Sequence, residues 1–138
     1  MKQELKSSLG RPYITIESDA TNRLISVDWV GYLTAESIKA GARAYTKALA
    51  ESGYRCVLND TRKVIGPWDH SLEWVLNEWA PNAAAAGLRH FAMITTPDSL
   101  ADESAQSFYD QLKEFEVRMF SDEQTALQWL QQCCAQAS

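Results

Sequence analysis

The stretch YRCVLNDTRKVIGPW, residues 54–68, has Val57 and Leu58 at its apolar centre and turns polar at Asn59, Asp60, Thr61 and Arg62. A short apolar run bounded by Gly53 and by Gly66-Pro67 reads as a buried strand. Polar residues at its carboxyl end fall where open α/β sheets place a ligand crevice. Upstream, Ile38, Ala42, Tyr45 and Leu49 recur at helical spacing. Thr34 is placed to cap that helix, Glu36 suits its positive end, and Gly53 stops it. A strand, this helix and the 54–60 strand in succession imply a parallel pair joined by a right-handed crossover.

Working outward, Tyr13 to Glu17 and Leu24 to Trp29 both alternate with period two, so they are expected to pair as an antiparallel hairpin. Residues 1–11 are polar and are expected to form a flexible N-terminal extension. On the other side, Leu72, Val75, Leu76 and Trp79 predict a helix capped by Asp69 or Ser71, with Pro81 ending or kinking it unless the helix-favouring run Ala83 to Ala86 continues it to Gly87. Arg89 to Thr95 reads as a buried strand. Ala101, Ala105, Phe108 and Leu112 mark the next helix, and Phe115, Val117 and Met119 mark a half-exposed strand near an edge. Ala126, Trp129, Leu130 and Cys133 form the inner face of a terminal helix. The order is β-β-α-β-α-β-α-β-α: an α/β fold with a mixed sheet whose first strand is antiparallel, helices covering the sheet, and one domain over 1–138.

At 138 residues the chain is long enough for a single core without metals or disulfides. A net charge of -5, with its 13 lysines and arginines scattered, argues against a nucleic-acid partner. No stretch approaches the ~20 apolar residues of a membrane span, and the N-terminal stretch lacks a signal-peptide core, so a cytoplasmic location is expected. Three cysteines, one in a strand and two adjacent on a helix, are expected to be reduced. With two histidines and no Cys-x-x-Cys spacing, neither a metal nor a cofactor is expected.

The segments LISVDWVGYLTAESI, YRCVLNDTRKVIGPW, GLRHFAMITTP and MFSDEQTALQWL, in this element order, resemble the STAS domains of bacterial anti-sigma-factor antagonists. The closer likeness is to stand-alone SpoIIAA-like proteins, whose sheet is related to the CRAL-TRIO lipid-binding lobe. The resemblance implies the SpoIIAA-like fold and a non-enzymatic binding or regulatory module acting through protein contacts. Its alternative is a carrier of a small molecule or lipid. Antagonists of this kind carry a phosphorylated serine at the start of the helix after the third strand. Here WDHSLEW occupies that region, and only Ser71 carries over; the glycine of the family's segment is missing.

Parallel strands ending on one edge would gather Trp29 and Tyr32, then Asp60, Arg62 and Trp68, then Thr96 and Asp98. These are the candidate binding residues, with Arg62 fixing an anionic or lipid-like ligand and the indoles covering its apolar part. The bland reading has Asp60 capping a turn, Arg62 pairing with it, and the tryptophans packing under loops. His70 beside Asp69 could act as a base, but the sequence offers no partnered nucleophile. Trp68 and Trp74 lack an evident internal role and are candidate anchors of a homodimer, or of a regulatory protein partner.

Overall fold

The computed structural model describes residues 2–135. Six strands lie in one sheet in the order β1-β2-β3-β4-β5-β6. They are β1 Lys2–Lys6, β2 Pro12–Asp19, β3 Leu24–Gly31, β4 Cys56–Val64, β5 His90–Ile94 and β6 Glu116–Phe120. β1 and β2, and β2 and β3, pair antiparallel; β3 to β6 are parallel. The leading hairpin and the parallel remainder are those expected. β1 is not: Lys2–Lys6, expected within a flexible extension, adds to the hairpin as an exposed edge strand. Its polar residues carry no core signal, and main-chain pairing to β2 holds it.

The connecting helices are α1 Ala35–Ser52, a helical segment from Asp69 to Ala85, and α4 Leu100–Gln111. Because strand order rises monotonically from β3 to β6, crossovers of one hand place all three on the same face. Their buried residues form one core with the sheet: Ile38, Ala42, Tyr45 and Leu49 from α1, Val75, Trp79 and Ala83 from the segment, and Ala105 and Phe108 from α4. The last helix, α5 Glu123–Leu130, returns across the opposite face. There Ala126, Trp129 and Leu130 pack on Leu24, Leu58, Ala92 and Ile94. The central strands β3, β4 and β5 therefore serve two cores by period-two alternation. Val57 faces one and Leu58 the other, and both are buried, as are Val27, Met93 and Ile94.

α1 begins with a capping box between Thr34 and Ser37, and Gly53 in the left-handed region at φ 76° ends it. The 69–85 segment is less regular than the sequence predicts. It runs through a 3-10 turn Asp69–Ser71, α2 Leu72–Trp74, a π-helical turn Val75–Trp79 and α3 Ala80–Ala85. Neither Asp69 nor Ser71 caps it with a side chain. Ala80 N–H reaches back five residues to Val75 O, so the widened turn accommodates Pro81, which has no N–H to give, and the helix continues to Ala85.

The thiols also depart from expectation. Cys56 and Cys134 are paired as a disulfide across 78 residues, Cα to Cα 6.4 Å, and Cys133 is free. The strained vicinal pairing of Cys133 with Cys134 is avoided because the partner comes from β4. Among the described residues no helix is long and apolar enough to cross a membrane.

Candidate functional site

An apolar cavity of about 50 Å³ lies between the sheet and the layer formed by α1, the 69–85 segment and α4. Its floor is Trp29 of β3, Asn59 and Thr61 of β4, and Phe91 and Met93 of β5. Ile38, Ala42 and Tyr45 close it from α1, Phe108 from α4, and Leu33, Trp68, Val75 and Trp79 from the remaining side. The tryptophans are spaced by edge and tilted contacts: Trp29 to Tyr45 at 6.4 Å, Tyr45 to Trp79 at 5.9 Å and Trp68 to Phe108 at 6.2 Å between ring centroids. Burial drives the Tyr45 phenol far above its ordinary pKa, so it stays protonated.

Polar groups are few and mostly satisfied. Trp29 Nε1–H donates to Asn59 Oδ1 at 2.8 Å, while the Asn59 amide nitrogen finds only the Met93 thioether at 3.2 Å. Thr61 Oγ1 donates to Ile94 O at 2.8 Å, and Trp79 Nε1–H donates to Thr46 Oγ1 at 3.0 Å. Trp68 differs. Its backbone N–H is anchored on Ser104 Oγ at 3.0 Å, but its indole N–H is buried with no partner among the described residues. Leaving such a donor unpaired costs roughly 1–3 kcal/mol.

The expected binding residues do not share this cavity. Trp29 and Trp68 line it; Asp60 and Arg62 lie across the sheet on the α5 face, because alternate residues of β4 point to opposite sides. A bulge adds one residue to β4 opposite Asp28 to Val30, and both Arg62 and Lys63 turn outward there. Arg62 engages Asp60 through both carboxylate oxygens, at 3.0 and 2.7 Å, and Lys63 reaches Asp28 at 3.1 Å. Burial alone would raise the Asp60 pKa; hydrogen bonds from the Arg62 side chain and backbone, with the Arg62 and Lys63 charges, outweigh it and hold the carboxyl below its ordinary range. Arg62 thus has its fork occupied rather than free for an anionic ligand. Tyr32 is 77% exposed, and Thr96 and Asp98 lie on an exposed loop where Asp98 N–H donates to Asp102.

The interface and histidine readings also change. Trp68 is 6% exposed, so it cannot anchor a homodimer without leaving its own core. Trp74 is half-buried, with Lys39 and Arg43 of α1 lying 5.9 and 5.6 Å from its ring centroid. His70, for which the sequence offered no partnered nucleophile, has Nε2 3.1 Å from Leu33 O and Nδ1 2.9 Å from Ser71 Oγ. Donation from Nε2 to that carbonyl leaves Nδ1 to accept from the serine. The pair resembles a base beside a hydroxyl, yet Ser71 is 3% exposed and is not among the cavity's lining residues. It ties the 69–71 turn to the loop before α1.

Comparison with known proteins agrees with this architecture. The SpoIIAA-like family model matches residues 24–131, and the chain belongs to that family. It is thereby a STAS-type domain. A comparison with curated proteins finds no match.

Proposed function

We propose that this chain is a non-enzymatic binding module whose ligand is a small apolar molecule carrying one hydrogen-bond acceptor, held in the cavity beneath Trp68. The observation that carries this reading is the buried Trp68 indole N–H, unpartnered among the described residues, on the wall of an apolar aromatic cavity. Such sites orient a ligand by a few polar groups and bind it by apolar burial. Size argues against a lipid chain and limits the ligand to a few heavy atoms: about 50 Å³ is far below the several hundred Å³ of a typical ligand pocket. A lipid carrier would need the 69–85 segment to move away from the sheet.

The test is a native mass spectrum of protein purified from its own host, followed by rebinding of whatever small molecule is released. Trp68→Phe, which keeps an aromatic ring but removes the donor together with the five-membered ring of the indole, should weaken rebinding by at least about tenfold, the equivalent of one hydrogen bond. A host-purified protein carrying no small molecule, or equal affinity in Trp68→Phe, removes the reading.

A second reading, regulation through protein contacts, is favoured by a separate observation. Tyr32 and Ile65 are 77% and 52% exposed and sit together at the carboxyl ends of β3 and β4, where Ile65 N–H pairs with Gly31 O. Aromatic and aliphatic side chains left in solvent at the strand ends suit a protein partner. A co-purifying protein released by Tyr32→Ala would favour this reading over the first.

A further inference from the structure

Three residues distant in sequence meet on the α5 face. Cys56 starts β4, His90 starts β5 as its register partner, and Cys134 follows α5 in the π-helical turn Gln131–Ala135. Their ligand atoms all lie within 4.8 Å of one another. Cys56 is 0% and Cys134 5% exposed. The imidazole is held from both sides. Its ring stands edge-on to Trp129 at 5.7 Å, and Nε2 is 3.4 Å from Oε1 of Glu116, its register partner on β6. The other nitrogen, Nδ1, is buried with no hydrogen-bond partner among the described residues.

We propose that Cys56, His90 and Cys134 form a binding site for a thiophilic divalent cation, with Zn²⁺ the ion these donors fit, and that the Cys56–Cys134 disulfide is the oxidised, closed form of the same site. Two thiolates and one imidazole nitrogen match a three-ligand zinc site with an open fourth position. A carboxylate behind the other imidazole nitrogen is the usual support of a metal-bound histidine, since it sets the tautomer and leaves Nδ1 free to coordinate. The bare Nδ1 is then explained: it is a ligand atom, in a place where a buried acceptor would otherwise lack a partner.

Access comes from a cleft of about 340 Å³ lined by Cys134, His90, Cys133 and three arginines, Arg23, Arg55 and Arg89. The fourth position would open toward this cleft and suit water or a small anion. Opening the disulfide consumes two equivalents of a thiol reductant, which leaves as its own disulfide, and yields two protein thiols. Metal binding then forms two sulfur–metal bonds and releases two protons. The sulfurs must separate to roughly 3.8 Å to share a tetrahedral ion with bonds of about 2.3 Å, a movement the terminal turn can supply. Disulfide and metal are therefore mutually exclusive.

The test is a Co²⁺ titration of the full chain, before and after anaerobic reduction with a phosphine. Reduced protein should bind one equivalent, with thiolate-to-cobalt charge-transfer absorption and the visible bands of a tetrahedral ion, all abolished by Zn²⁺; oxidised protein should show neither. Cys134→Ser should lose most of the charge-transfer band, Glu116→Gln should weaken binding by roughly 10- to 100-fold, and Cys133→Ser should leave both unchanged. Since a Cys56 variant can fail by unfolding, the oxidised-against-reduced comparison on the parent chain stands in for it. A disulfide that resists the phosphine, a reduced chain without charge-transfer absorption, or a band that survives Cys134→Ser but vanishes in Cys133→Ser overturns the proposal.

Discussion

Single residues set what each face of the sheet can do. Gly41 of α1 sits where an added Cβ would come within 2.5 Å of Trp29 Cη2 and 2.9 Å of Ile14 Cδ1. Gly41→Ala gains about 1 kcal/mol of helix propensity but overpacks a ring that is hydrogen-bonded to Asn59, a cost of about 1–3 kcal/mol. A net loss of up to roughly 2 kcal/mol is expected on denaturant titration; a gain would mean that Trp29 yields freely into the cavity. Across the sheet, Asp60 has its folded pKa depressed, so its pairing with Arg62 contributes stability that is complete above the ordinary carboxylate range and is lost as pH falls through the lower folded value. Arg62→Ala should therefore be less stable than the parent at neutral pH, and the two should converge in strong acid. A gap unchanged in acid would show that Arg62 acts by packing alone. Ser71, at 3% exposure with its hydroxyl on His70, is expected to remain unphosphorylated; phosphoserine there in protein from the native cell would require the 69–71 turn to open.

At the scale of elements, segments with an apolar pattern were legible and those without one were not. β3, α1 and α4 follow from alternation and apolar stripes, because burial on one face leaves a local repeat, whereas β4 and β5 follow from short apolar runs, because burial on both faces leaves no polar alternation. β1 leaves none: it is exposed, and main-chain bonds to β2 hold it. A chain beginning at Ser7 should lose little stability, since of β1 only Leu5 packs on the core, yet it would uncover the β2 edge. Light scattering should show greater self-association of the truncated chain; a monodisperse product would mean that β1 does not protect the edge. The π-helical turn at Val75–Trp79 was equally illegible, since Pro81 marks a break without showing how the chain absorbs it. That turn puts both Val75 and Trp79 on the cavity wall.

The whole molecule is a sheet with unequal covers, one layer of three crossover segments on one side and, among the described residues, α5 and its terminal turn on the other. The disulfide ties that lone helix to β4 and closes a loop spanning 78 residues. Chain-entropy arguments value such closure at roughly 4 to 5 kcal/mol, so reduction should lower unfolding stability by an amount of that order. A loss confined to local exchange in α5, without a shift of the global transition, would indicate that the bridge secures only the helix. The sequence by itself determined the α/β class, the crossover helices and the buried strands, because period two, period 3.6 and short continuous apolar runs are local records of which sides of an element are buried. Only the tertiary structure decided the sites. It separated Trp29 and Trp68 from Asp60 and Arg62 by the thickness of the sheet, since residues that end one strand point to opposite faces. It also brought Cys56, His90 and Cys134 together, since parallel register and a helix returning across the sheet create neighbours that no sequence spacing records.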